Sequence, residues 1–134
     1  RYLSNFKKAI QICIHGAVKQ FNKTLINEQE VLNNIADMMM ETYVSESLLL
    51  RVNKLESMKG NISVYKDILD VNIYDSADLI RKSACDAVNS FASPGNAPVI
   101  IKAINTLTKV NGINVKDARR RIAAKLIEDN SYKF

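Results

Sequence analysis

The stretch ISVYKDILDVNIYDSADLIRKSACDAVNSF, residues 62–91, decides the architecture. Ile62, Tyr65, Leu69, Ile73, Ala77, Ile80, Ala84, Val88 and Phe91 recur at steps of three and four. On a helix of about 3.6 residues per turn that spacing gathers them on one face. A strand would alternate with a period of two, and no such run occurs here or elsewhere in the chain. The segment therefore predicts a long amphipathic helix, ended by Ala92-Ser93-Pro94-Gly95-Asn96.

Working outward, Leu3, Phe6, Ile10, Cys13, Ala17 and Phe21 predict a first helix over about residues 2–23. A break at Asn22-Lys23-Thr24 precedes Asn27, which stands three residues before Glu30 as an N-cap with a capping-box partner. From there to Met58 nothing interrupts a second helix, and Lys59-Gly60-Asn61 stops it. Val31, Leu32, Ile35, Ala36, Met38, Met39, Tyr43, Ser47, Leu49 and Leu50 cover much of its girth, leaving a polar strip of Glu30, Asn33, Asn34, Asp37 and Glu41. That distribution places the second helix centrally, with Met38-Met39-Met40 in the core. Downstream, Pro98 suits the first turn of a shorter helix to about Lys109. After Asn111-Gly112, Asn114 caps a last helix to about Asp129. The expected fold is all-α: an up-down bundle of three long helices with two shorter C-terminal helices laid against it.

The chain has 134 residues, 47% apolar and 25% charged, enough for one hydrophobic core and ordinary for a globular domain. It opens on Arg1 with no charged-then-apolar signal pattern, and residues 1–134 are expected to form one helical domain cut from the C-terminal part of a larger chain. No apolar run approaches the ~20 residues of a membrane-spanning helix. Cys13 and Cys85 fall inside helical patterns and are expected to be reduced, buried thiols of a cytoplasmic protein.

The excess charge is not spread evenly. Positive and negative residues cancel over 1–97, whereas Lys102, Lys109, Lys116, Arg119, Arg120, Arg121, Lys125 and Lys133 meet only Asp117, Glu128 and Asp129 beyond it, which accounts for the whole net +5. Two ionisable residues break the helical pattern. Glu46 falls in the apolar arc of the second helix, and Arg119 lies among Val115, Ala118, Ile122, Ala123 and Leu126 on the last. A buried lone charge is costly, so Glu46 and Arg119 are expected to pair across the core. The alternative is that Arg119 reaches water and Glu46 faces a polar gap. Lys116, Arg120, Arg121 and Lys125 then point outward. They form either a solvated face laced by Asp117–Arg121 and Lys125–Asp129 pairs or a docking face for an anionic partner. Nucleic acid is not the expected partner, because no stacking aromatics are interleaved with these cations.

A search for catalytic chemistry finds none. His15, the one histidine, has polar helical neighbours in Gln11 and Lys19 and is expected to face solvent. Cys13 and Cys85 are too far apart in sequence for a short-spaced zinc site, no Glu-x-x-His pair is present, and four dispersed glycines make no phosphate loop. The carboxylate pairs Asp37/Glu41 and Asp75/Asp78 are expected to be solvated helix faces. No residue is expected to be catalytic, to bind a cofactor or to hold a metal.

The run Leu25-Ile26-Asn27-Glu28-Gln29-Glu30-Val31-Leu32, continuing through Ala36-Asp37, Tyr43, Glu46-Ser47 and Leu50-Arg51, resembles the helical C-terminal extension of acyl-CoA dehydrogenases of the very-long-chain type, in a bacterial version. Asp75-Ser76-Ala77, Ile80-Arg81-Lys82, Asn89-Ser90-Phe91, the run 114–120 and Ala124-Lys125-Leu126-Ile127-Glu128 extend the likeness over nearly the whole chain. The resemblance implies a parent oxidoreductase of fatty-acid oxidation whose upstream core binds FAD and carries a glutamate base. None of that core's motifs occurs here. It also implies packing against the catalytic domain of its own chain, a homo-oligomer, and in the very-long-chain members a membrane contact. No evident membrane-inserting amphipathic segment is present to make that contact. The alternative function is an independent helical adaptor that binds an acidic partner through Lys116, Arg120, Arg121 and Lys125.

Overall fold

The computed structural model describes residues 1–59, 62–132 and 134. Its helices are α1 (Tyr2–Phe21), α2 (Gln29–Lys59), α3 (Ser63–Phe91), α4 (Ala97–Leu107) and α5 (Val115–Asp129), and there is no strand among the described residues. A 3₁₀ segment, Asn22–Asn27, joins α1 to α2. The expected stop of α2 at Lys59-Gly60-Asn61 falls partly on Gly60 and Asn61, which lie outside the described residues, as does Lys133.

The start of α2 differs from expectation by one residue. Asn27 closes the 3₁₀ segment, and Glu28 offers its carbonyl to the amide of Leu32 at 3.1 Å as the first bond of the helix. The 3₁₀ turn consumes the residues that the capping box would have used. Asn114 does cap α5: its side chain accepts from the Asp117 amide at 3.1 Å and donates to the Asp117 carboxylate at 2.7 Å. Asn130, in the left-handed region at φ 47°, ends that helix. Pro98 sits in the first turn of α4, where its missing N–H costs nothing.

The hub of the bundle is α3 and not α2. α1, α2, α4 and α5 all pack on α3, through the stripe that includes Leu69, Ala77, Ile80, Ala84, Val88 and Phe91, all buried. The main core adds Phe6, Ala9, Cys13 and Ala17 of α1, Val31, Ile35 and Met38 of α2, and Ile104 of α4. A smaller cluster of Val52, Leu55, Ile62 and Leu69 closes the far end of the α2–α3 pair. Between them runs a polar seam. The Ser45 hydroxyl donates to Asn72 Oδ1 at 2.7 Å, and Ser76 donates to Glu41 Oε2 at 2.9 Å. Glu41 is thus tied into the α2–α3 contact and is not part of a solvated face.

One close approach fixes the crossing of α1 with α3. A Cβ on Gly16 would overlap the ring of Phe91, so the absence of a side chain there lets the aromatic ring lie against the α1 backbone. Nearby, Cys13 is fully buried and its thiol donates to the Ala84 carbonyl at 3.9 Å. Cys85 is half-buried, and both cysteines are free thiols.

Candidate functional site

Three surfaces carry the residues available for function: the basic face of α5, the outward face of α2, and a groove between α1 and α4.

The basic face is largely neutralised from within. Arg121 makes a two-pronged contact with Asp67 of α3 through Nε and a terminal nitrogen, both at 2.8 Å. Its hydrogen bonds hold the Asp67 carboxyl below the usual carboxylate range, against the opposing effect of burial. Arg119 contacts Asp75 of α3 at 3.0 and 3.2 Å. Lys125 meets Asp129 at 3.2 Å and Lys116 meets Asp117 at 3.4 Å. Arg120 is exposed and has no ion-pair partner among the described residues. Two of the C-terminal cations thus answer carboxylates on α3, and two more pair within α5.

The expected Glu46–Arg119 pair does not form. Glu46 pairs with Lys7 of α1 at 2.7 Å, while Arg119 turns to Asp75. The reason is that neither residue is enclosed. With α3 as hub, α5 lies on α3 and α1 lies beside α2, so each charge meets the helix next to it at a half-open surface. Of the two pairs anticipated along α5, Lys125–Asp129 forms, while Asp117–Arg121 gives way to Asp67–Arg121.

On α2 the apolar arc resolves into two lines with the same four-three spacing. Val31, Ile35, Met38, Thr42, Ser45 and Val52 face inward and are buried. Ala36, Met40, Tyr43, Ser47 and Leu50 face outward, flanked by Met39. Tyr43 is 72% exposed, Leu50 63% and Met40 57%. No helix covers this line, because α4 and α5 lie on α3. Of the three successive methionines, Met38 alone is core. Met39, Met40 and Tyr43 form one exposed apolar patch, with Leu50 beyond Ser47, and such exposed apolar side chains mark a surface that another body covers. The sequence held this signal in the second spacing register, which reading the arc as one broad face merged with the first.

The third feature is an open groove of about 820 Å³ between α1 and α4, with Ile12, Phe91, Ile100 and Leu107 along it and Lys8, His15 and Lys19 beside it. His15 is exposed, as its neighbours suggested. Among the described residues no group of His, Cys, Asp and Glu could hold a metal ion, and no helix is long and apolar enough to cross a membrane. The volume of this groove is within the range that holds one ligand of drug size.

Comparison with known proteins gives a consistent answer. Residues 5–106 match the family model described as acyl-CoA dehydrogenase, C-terminal domain. A probable acyl-CoA dehydrogenase of Bacillus subtilis (strain 168) is 26% identical over 135 residues, an alignment covering 98% of this chain and 23% of that protein. The crystal structure of an acyl-CoA dehydrogenase complexed with FAD from Bacillus anthracis superimposes with a TM-score of 0.90 at 26% identity, covering 99% of this chain and 23% of that one. The chain therefore spans about a quarter of the length of the relatives it matches.

Proposed function

Because this chain belongs to the acyl-CoA dehydrogenase C-terminal domain family, we propose that it is the accessory helical domain of an FAD-dependent acyl-CoA dehydrogenase acting in fatty-acid oxidation, packed against the catalytic core or a second subunit. The observation that carries this reading is the outward face of α2, where Met40, Tyr43 and Leu50 stand exposed in one line. Such a row loses about 25 cal/mol per Å² while it stays in water, so covering it is favourable. The internal pairing of Arg119, Arg121 and Lys125 supports the same choice over an adaptor that recognises an acidic partner, since those cations already have carboxylates.

In this reading FAD supplies hydride-accepting chemistry and is bound by the remaining length of the parent. In this reading no step of the reaction runs through the described residues. The domain's work is mechanical: the helical bundle presents one apolar face and holds the surface it meets in place. We place the protein in the cytoplasm and expect a homo-oligomer.

The deciding experiment is to express the protein that carries this chain, with everything upstream of Arg1, and record its visible spectrum before and after adding an acyl-CoA. A flavin spectrum that bleaches is the expected result. A colourless protein would overturn the proposal. In the flavoprotein, Met40→Glu and Tyr43→Glu together should weaken subunit or domain association without changing the flavin's own absorbance.

A further inference from the structure

The connection between α4 and α5 holds a reactive pair. Residues 109–114 belong to no helix, and among them Asn111 is followed by Gly112, both exposed. The side-chain amide carbon of an asparagine, Cγ, can close a five-membered ring with the backbone nitrogen of the next residue. Closure needs that nitrogen unbonded, the side chain able to swing onto it, and no following side chain in the way.

All three conditions are met here. Among the described residues no hydrogen bond holds the Gly112 N–H or the Asn111 side chain. Gly112 has no side chain, and nothing lies within 4 Å of where its Cβ would stand. The Asn111 N–H is held by the Tyr2 hydroxyl at 3.1 Å, which fixes one side of the residue and leaves the other open. Arg81, Lys109 and Asp78 line the same shallow cavity as Gly112, a net positive surround that favours loss of the Gly112 amide proton. Other asparagines fail one condition or another. The Asn114 side chain is bonded to Asp117, that of Asn72 accepts from Ser45, and the amide after Asn96 is taken by the Ser93 carbonyl. Asn130 is exposed at the end of α5, but the side chain of Ser131 crowds the attacking nitrogen. The fold itself makes no use of the glycine that completes the pair, since open space surrounds Gly112 and its φ lies outside the left-handed region.

We propose that Asn111-Gly112 is a site of spontaneous deamidation through a succinimide, which ages the protein at the α4–α5 connection. The Gly112 nitrogen gives its proton to water and bonds to Asn111 Cγ, and the Cγ–Nδ2 bond breaks with release of ammonia. Water then opens the ring at either carbonyl. Opening at Cγ leaves aspartate; opening at the main-chain carbonyl leaves isoaspartate, with the chain rerouted through Cβ and Cγ. Overall one water is consumed and one ammonia released, with no oxidant or reductant. Either product puts a carboxylate two positions from Lys109, and isoaspartate adds one carbon to the main chain directly after the amide that Tyr2 holds. The site shares no residue with the exposed line on α2, so this inference stands whether or not the accessory-domain reading does.

The test keeps the whole protein that carries this chain, natively folded, at mildly alkaline pH and body temperature. Mass spectrometry follows the proteolytic peptide that spans residues 111–112, with freshly purified protein as the zero point. That peptide should gain the mass of an amide converted to an acid and split into two isomers, of which an isoaspartyl methyltransferase methylates one. Because the connection needs no unfolding to react, the native rate should lie within about threefold of the rate in urea. Gly112→Ala should slow conversion about tenfold or more in a protein with an unchanged circular dichroism spectrum. Conversion at Asn130 in preference to Asn111, a native rate far below that of the unfolded chain, or a rate indifferent to Gly112→Ala would each overturn the proposal. Flavin content does not enter the readout, so the outcome is separable from that of the spectral experiment.

Discussion

Gly16 and Phe91 show how one missing methyl group sets a helix crossing. Phe91 is buried at 6% exposure and occupies the space above Gly16, where a Cβ could not be added without displacing the ring. Gly16→Ala should therefore destabilise the protein by about 1–3 kcal/mol through overpacking, despite alanine's better helix propensity. Gly95→Ala should be far milder, because open space surrounds Gly95. Chemical denaturation of the two variants makes the comparison, and equal midpoints would refute it. Cys13 gives a second residue-scale expectation. Burial, with a smaller contribution from nearby Cys85, pushes its thiol from an ordinary 9.0 up to about 12. A raised native pKa means that its contribution to stability is complete below about pH 9 and is lost as pH rises toward about 12, where the unfolded chain ionises first. At pH 8 iodoacetamide should modify Cys13 only after unfolding, whereas half-buried Cys85 should react in the native state. Native-state alkylation of Cys13 at a rate matching Cys85 would contradict this.

At the scale of the element, much of the bundle was legible and the exceptions have physical causes. The α3 stripe, Pro98 in the first turn of α4 and the Asn114 cap were readable because each depends on neighbours within a turn or two. Which long helix becomes the hub was not, since an apolar residue reads alike whether it faces the domain's own core or a surface left for another body. Met39, Met40 and Tyr43 were misplaced for that reason. The pairings of Glu46 and Arg119 were illegible because a carboxylate such as Asp75 or Lys7's ammonium becomes a partner only once helices are set side by side. The docking of α5 is testable directly. Among the described residues it packs on no helix but α3, through buried Ala118 and the Asp67–Arg121 and Asp75–Arg119 contacts. Asp67 has a depressed pKa, so its stabilising effect is present above its ordinary 3.8 and disappears as pH falls through the lowered native value. Asp67→Asn should accordingly increase hydrogen exchange in α5 at neutral pH while leaving α1–α3 protected, and unchanged exchange in α5 would show that the contact contributes nothing to docking.

For the molecule as a whole, the exposed line on α2 governs behaviour in solution. The separate chain should self-associate through it in a manner insensitive to salt, because the contact is apolar. Analytical ultracentrifugation of the chain with and without Met40→Glu and Tyr43→Glu should show the association lost in the variant, and association that weakens steeply with salt instead would point to the α5 cations. The Tyr2–Asn111 hydrogen bond has a consequence of another sort. α1, α2 and α3 each pack against the helix that follows in the chain, so small loops close early and the chain should fold quickly. Tyr2 and Asn111 lie further apart, at 109 positions, than Cys13 and Ala84 at 71, and the seating of α4's far end on α1 is the closure with the largest entropic cost. It should form after the rate-limiting barrier has been crossed. Tyr2→Phe would then leave the refolding arm of a chevron plot where it is and raise the unfolding arm alone, making this bond a clasp that sets how long the native state lasts and not how fast it is reached.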